Sequence, residues 1–356
     1  MRYQGIKVTL ITGFLGAGKT TLIRDLLAQA PPYERWAVLV NEFGDIGLDG
    51  ALLSDTGVAI KEVPGGCVCC TTSAAFAQGL NQLIRQQNPD RIIIEPSGLG
   101  HPKQIIDSLK AQQYQDVLLV TGVFCVLDAR NLSDNRYTQH VTFNDQIDCA
   151  DTIVASHVSS YQRADIDNLK DYCQLRSIDS ERVLITDPMS LLSVNLDPHL
   201  HRNVSSSEVN NVETKSHTHE HHEHHEHHEH HEHHEHHEHH EHHEHHEHHE
   251  QADILTAHYL KQQDGMKVIG WQWQRECVFD ESLLRVGLNA LISLCDIYRM
   301  KGVFVLDSGQ ALFINGSRGE LSVKVSVWQQ DSRFEVIGLD DELWVQNVLD
   351  FVSKID

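Results

Sequence analysis

Eight residues near the start of the chain, Gly13-Phe14-Leu15-Gly16-Ala17-Gly18-Lys19-Thr20, fit the spacing G-x-x-x-x-G-K-[ST], and that spacing carries a specific chemistry. Glycines at 13, 16 and 18 let the backbone turn and aim its N–H groups inward as an anion nest. Ala17, Lys19, Thr20 and Thr21 lead into a helix whose N-terminus adds partial positive charge. Lys19 can reach the terminal phosphates of a nucleotide, and Thr20 is placed to hold a magnesium ion. The stretch is expected to be a phosphate-binding loop.

A second group complements it. Ile92-Ile93-Ile94-Glu95-Pro96-Ser97-Gly98 puts an acid at the end of a buried strand and a glycine three residues on. Such an acid can hold the metal through water while the Gly98 N–H bonds the γ-phosphate, so the loop orders with triphosphate and relaxes after hydrolysis. Lys19, Thr20 and Glu95 are the expected catalytic residues.

The third group is Gly65-Gly66-Cys67-Val68-Cys69-Cys70. Three thiols within four residues, after two glycines that free the backbone, can converge on one soft metal. Zinc suits that donor set, and Glu42 in Asn41-Glu42-Phe43-Gly44-Asp45 can add an oxygen; cobalt or nickel would fit as well. Any one of the thiols can instead be a packed core residue. Cys125, Cys149, Cys173, Cys277 and Cys295 lack paired spacing and read as core residues.

The fourth feature is compositional. After His217 and His219, the tripeptide Glu-His-His repeats ten times from Glu220, beginning with His221 and His222, and closes at Glu250 with no apolar residue. It cannot build a core, and it reads as a flexible tether. Neutral imidazoles bind zinc, and at four ligands per ion its twenty histidines would hold about five. A local metal reservoir and a solvated spacer are both open readings. A purification tag fits poorly, because a further domain follows.

These groups need elements to place them. Ile6 to Ile11 is an apolar strand entering the phosphate loop, and Leu22, Ile23, Leu26 and Leu27 have the spacing of a helix packed on a sheet. Strand patterns at Trp36 to Val40, Arg91 to Ile94, Val123 to Leu127, Thr152 to Ala155 and Val183 to Thr186 alternate with helical ones at Ala74 to Arg85, Lys103 to Lys110 and Asp165 to Cys173. This alternation predicts an α/β domain with a mostly parallel sheet covered on both faces, and ligands at the carboxyl ends of its strands. Past the tether, strands at Lys267 to Trp273, Met300 to Leu306, Ala311 to Ile314 and Leu321 to Trp328 accompany helices at Glu281 to Cys295 and Asp341 to Val352. They predict a small α+β domain with a largely antiparallel sheet and no catalytic constellation of its own. The expected division is 1–195, a linker at 196–252, and 253–356.

Length and composition agree. The 356 residues suffice for two cores, and 40% are hydrophobic, as in a soluble protein. No signal sequence or membrane-length apolar run occurs, so a cytoplasmic protein without a membrane partner is expected. Eight cysteines without a secretion signal argue against a disulfide framework. A formal charge of -23 argues against nucleic acid as a partner.

GFLGAGKTTL, NEFG at Asn41 to Gly44, GGCVCC at Gly65 to Cys70 and EPSG at Glu95 to Gly98 together resemble the CobW-type P-loop GTPases, a family of metallochaperones and metal-insertion proteins. Arg299-Met300-Lys301-Gly302 before a strand is similar to the family's C-terminal domain, and the chain looks most like the YeiR-type zinc-binding members. The resemblance implies GTP hydrolysis with magnesium, coupled to zinc delivery to a client metalloprotein, with Cys67, Cys69, Cys70 and Glu42 in the metal site. It leaves room for a homo-oligomer. Histidine-rich tracts occur in many members.

One departure stands out. GTPases place N-K-x-D after a strand to read guanine, whereas the strand ending at Ala155 is followed by Ser156-His157-Val158-Ser159. A hydroxyl at the last position cannot replace a carboxylate that accepts two hydrogen bonds from the base, so discrimination against adenine is expected to fall. His157 either stacks on the base or is a surface loop residue. Two other functions stay in view: a zinc-storage protein with a degenerate nucleotide site, and an ATP-using P-loop kinase.

Overall fold

The computed structural model describes residues 3–41, 57–63, 72–185, 196–198, 255–263 and 265–356. Two sheets organise them. The first has seven strands, all parallel, in the order β3-β2-β4-β1-β5-β6-β7. Its strands are β1 (Ile6–Thr12), β2 (Trp36–Asn41), β3 (Ala59–Val63), β4 (Arg91–Glu95), β5 (Leu118–Leu127), β6 (Thr152–Ala155) and β7 (Val183–Ile185). The helices between them are α1 (Lys19–Leu27), α2 (Thr72–Gln87), α3 (Pro102–Leu109), the single turn α4 (Asn135–Thr138), α5 (Val141–Asp148) and α6 (Arg163–Leu175).

Burial follows the strand period. Val8 and Leu10 of β1 face one core with Phe76, Leu80 and Ile105, while Ile11 faces the other with Leu22, Ile23 and Leu26 of α1. Strands buried on both sides read as continuous apolar runs, which is why β1 and β4 were recognisable from composition alone. Strand β3, AIKEV, is short and carries Lys61 and Glu62, and α5, VTFNDQID, is brief and mixed; neither stands out as an element by pattern.

Leu196–Pro198 adhere to this first body beyond the expected boundary at 195. Leu196 is buried in the α1-side core, Asp197 pairs with Lys7 at 2.9 Å and Arg91 at 2.8 Å, and Pro198 packs over Gly122.

The second sheet is antiparallel, in the order β12-β11-β10-β13-β9-β8. It comprises β8 (Leu255–Gln263), β9 (Met266–Trp273), β10 (Ile297–Val305), β11 (Ala311–Ser317), β12 (Glu320–Ser326) and β13 (Ser332–Leu339), with helices α7 (Glu281–Ile292) and α8 (Glu342–Ile355). One face packs under the helices: Trp271, Trp273, Phe304 and Phe334 meet Leu284, Leu288, Trp344 and Phe351. Trp271 stacks on Phe334 at 5.7 Å, and both tryptophans are buried. Strands β8 and β13 were not foreseen. In β13, Arg333 and Glu335 alternate with apolar residues, and Glu335 is buried under protein while Arg333 is partly exposed.

The other face of this sheet meets the first body. Phe14 of the phosphate loop, Tyr137, Phe143, Met266, Val268, Tyr298 and Ile337 form one buried cluster spanning both sheets. Phe14 contacts Tyr298 edge-on at 6.1 Å, and the Arg136 guanidinium lies 5.4 Å from the Tyr298 ring centre. Arg136 also donates to the Cys295 carbonyl and Arg318 to Asn131. Among the described residues no helix is long and apolar enough to cross a membrane.

Candidate functional site

The loop between β1 and α1 is held open by steric necessity. Gly13 has φ 144°, and a Cβ there would lie 2.4 Å from the Val126 carbonyl oxygen, so no side chain fits. Gly16 has φ 72°, and a Cβ there would meet the Ser317 side chain of β11 at 2.8 Å. The second sheet thus touches the phosphate loop itself.

Helix α1 begins at Lys19 after Gly18, without a side-chain cap. Its first N–H groups are therefore available to an anion, with the helix dipole aligned behind them. Lys19 is buried, 7% exposed, and its ammonium donates to the Phe14 carbonyl at 3.3 Å. Burial pushes its pKa down to about 8; Glu95 opposes this, while Arg299, Lys301 and, in the opposite sense, Cys125 add smaller effects. The Ala17 N–H also turns to the Phe14 carbonyl, at 3.2 Å.

The Thr20 hydroxyl donates to the Glu95 carboxylate at 2.9 Å. A hydroxyl and a carboxylate side by side at the foot of a phosphate loop form a hard oxygen donor pair, which fits a magnesium ion. Gly98 lies against Leu15, 3.1 Å from its nitrogen to the position of a Cβ, and its carbonyl accepts from Gln146 at 3.1 Å. The loop after β4 is thereby packed onto the phosphate loop.

His157 and Ser156 follow β6. His157 takes a left-handed conformation, φ 55°, and its ring lies 3.3 Å from where a Cβ on Gly18 would stand. Its Nδ1 is 3.1 Å from the Ser156 hydroxyl and 3.6 Å from Asp128. Asp128 is buried and clamped by Arg130 at 2.7 Å, and Arg130 reaches Glu320 of β12 at 3.5 Å.

A cavity of about 340 Å³ joins these groups. Gly16, Gly18, Lys19, Thr20, Thr21, Glu95 and His157 line it from the first body. Gly13, Ala17, Gly98 and Ser156 are not among its lining residues. The other wall comes from the second sheet, through Arg299, Lys301, Asn315, Ser317, Ser322 and Lys324. Sequence reasoning missed this wall. The available signal was a pair of cations at alternate positions, Arg299 and Lys301, inside an otherwise apolar strand.

The expected zinc ligands Glu42, Cys67, Cys69 and Cys70, and His217, His219, His221 and His222, lie outside the described residues. Among the described residues no cluster of three or more His, Cys, Asp or Glu could hold a metal. Asn41 and Val63 are register partners at the carboxyl ends of adjacent strands β2 and β3. Of the cysteines expected in the core, Cys125 and Cys173 are buried and Cys149 and Cys277 partly so, but Cys295 is exposed, one residue before Asp296, to which its thiol donates at 3.4 Å. It follows the end of α7, where the apolar helical pattern runs out.

Residues 7–183 match the CobW/HypB/UreG nucleotide-binding domain. The chain is 35% identical to the Zinc chaperone YeiR of Escherichia coli over 339 residues, 95% of this chain and 94% of that protein. It belongs to the CobW/HypB/UreG family. It is also 40% identical to the Zinc chaperone CobW of a Sinorhizobium species over 139 residues, 37% of this chain and 39% of that protein. Among solved structures, the Zn(II)-bound YjiA GTPase of E. coli aligns over 99% of both chains at 19% identity, with a TM-score of 0.41. Residues 13–20 lie within the matched nucleotide-binding domain.

Proposed function

We propose that this chain is a magnesium-dependent GTPase that binds zinc and hands it to a client metalloprotein under control of the nucleotide. The observation that carries this reading is the pairing of Thr20 with Glu95 beside the buried Lys19, in a chain 35% identical to a zinc chaperone over nearly its whole length. Thr20 and Glu95 would hold magnesium, which when bound neutralises phosphate charge. Lys19 would leave the Phe14 carbonyl for the terminal phosphates, and the loop amides would fix the chain of phosphates for in-line attack by water. The Gly98 loop, packed on Leu15, would follow the presence of the last phosphate.

Zinc is the cargo. The proposed ligands are Cys67, Cys69, Cys70 and Glu42, with the histidines from His217 onward as an accessory store. Asn41 and Val63 end neighbouring strands at the carboxyl end of the sheet, the end from which β1 also leads into the phosphate loop, so the segments bearing Glu42 and the thiols start from adjacent positions. A nucleotide-dependent loop rearrangement there can change the thiol geometry, which is the physical link required for coupling.

The decisive experiment is zinc affinity by chelator competition in protein lacking 217–250, with GTP and magnesium, GDP, ATP or no nucleotide. A shift of about tenfold between GTP and GDP, equivalent to about 1.4 kcal/mol of coupling, is expected. Equal affinities in all four conditions would replace the chaperone with a store. The Ser156-His157-Val158-Ser159 loop favours one variation: an equal shift with ATP would mean a relaxed base preference. Separately, Lys19→Ala should abolish GTP turnover, measured as phosphate release, while zinc binding by the histidine tract persists.

A further inference from the structure

The face that the second sheet turns to the first body changes character along its length. Near Phe14 it is apolar, with Met266, Val268, Tyr298 and Ile337. Over the phosphate loop it becomes polar. Strand register aligns Glu335, Lys301, Asn315 and Ser322 in one row across β13, β10, β11 and β12, and Arg299 with Ser317 in a neighbouring row. Directly opposed residues share a face, so Lys301, Asn315, Ser322, Arg299 and Ser317 are presented together.

Two of these side chains are deeply buried cations. Arg299 is 5% exposed and Lys301 7%. Interfaces retain buried charge only at a considerable desolvation cost, which an apolar pair of similar size would avoid. Glu335 is engaged by Arg299 at 3.4 Å and by the Tyr259 hydroxyl at 2.7 Å. Among the described residues that line the cavity, Lys19, Arg299 and Lys301 are buried cations and Glu95 is a buried carboxylate. Arg24 and Lys324 add two more cations to the lining. In a chain of net charge -23, the described residues lining this cavity include five Lys or Arg and one carboxylate. Its volume of about 340 Å³ is in the range of small-ligand sites.

We propose that the second sheet is half of the nucleotide site, with Lys301 and Arg299, and Lys324 at the rim, binding the terminal phosphate of a nucleoside triphosphate from the side opposite the phosphate loop. This rests on the nucleotide reading of that loop. Loss of the terminal phosphate would then loosen the second sheet's hold on the first, so both bodies would register the nucleotide state. Contact between Ser317 and Gly16 puts the two walls within reach of one phosphate.

The test is calorimetric titration of the full chain, with magnesium, using GDP and a non-hydrolysable GTP analogue. Lys301→Met should weaken the triphosphate analogue by about tenfold, the loss expected for one charge-assisted contact, and leave GDP within about twofold. Lys324→Gln should show the same selectivity with a smaller loss. Lys110→Gln, exposed and outside the cavity, should match wild type. Wild-type affinity for both ligands in the Lys301 and Lys324 variants, or an equal loss of both, would overturn the proposal. Should Lys301→Met fail to fold, the exposed Lys324→Gln decides with the same ligands. Failure of wild type to bind either nucleotide would instead overturn the nucleotide reading, and this proposal with it.

Discussion

Lys19 shows how burial and neighbours set one side chain's role. Its pKa is pushed down to about 8, first by burial, with Arg299 and Lys301 assisting and Glu95 opposing. Between pH 8 and the ordinary lysine range near 10.5, the unfolded chain holds this proton and the folded chain releases it, so stability from this group rises with pH across that window. An anion in the cavity reverses the balance by favouring the charged form. Nucleotide binding at pH 9 should therefore take up about one proton, seen as a dependence of the calorimetric enthalpy on buffer ionisation enthalpy. Lys19→Met should remove that dependence, and an enthalpy indifferent to buffer in wild type would refute it. Lys19, Thr20 and Glu95 were legible in the sequence because a local spacing fixes what they do. Arg299 and Lys301 were not, because their role comes from a neighbour nearly three hundred positions away, and no local spacing encodes it.

The elements that hold the site are secured at the far end of the sheet. Asp197 bonds both Lys7 of β1 and Arg91 of β4, tying together the strands that deliver the phosphate loop and Glu95. Burial works against ionisation of Asp197, but the hydrogen bonds from Lys7 and Arg91 outweigh it and hold its pKa below the usual carboxylate range. Its contribution is thus present above the unfolded carboxylate pKa and is lost as pH falls through the lower folded value. Asp197→Ala should cost about 2 kcal/mol, read as a lower denaturant midpoint at neutral pH, with the difference from wild type shrinking in acid. A constant difference down to pH 2 would contradict the pairing. Most strands of the first sheet were readable as apolar runs, since burial on both faces removes polar residues. In β13 the charged Glu335 is buried against Arg299 and Tyr259 and not in water, so the pattern Arg333-Phe334-Glu335 does not mark a half-buried strand for a reader who expects polar to mean exposed.

At the scale of the whole molecule, five Lys or Arg side chains among the described residues line one cavity, while the histidine-glutamate tract alone carries eleven acids. Deleting 217–250 removes twenty-two histidines and eleven glutamates. GTP turnover should stay within about twofold, and bound zinc at saturation should fall by up to about five ions per chain, measured by elemental analysis. Loss of turnover on deletion would make the tract part of the catalytic body. The two-body organisation was legible, because the repeat interrupts two stretches of core-forming sequence. The packing of one body onto the nucleotide loop of the other was not, since the aromatic residues that carry it look like ordinary core.

Phe14 belongs at once to the phosphate loop and to the aromatic cluster with Tyr137, Phe143 and Tyr298. A side chain shared in this way denies the two sheets independent melting. Heating should give one calorimetric transition whose van't Hoff and calorimetric enthalpies agree, and a nucleotide bound at the loop should raise the melting temperature of the antiparallel sheet together with that of the parallel one. Phe14→Ala, which removes a buried ring worth about 3–5 kcal/mol, should split that single peak in two.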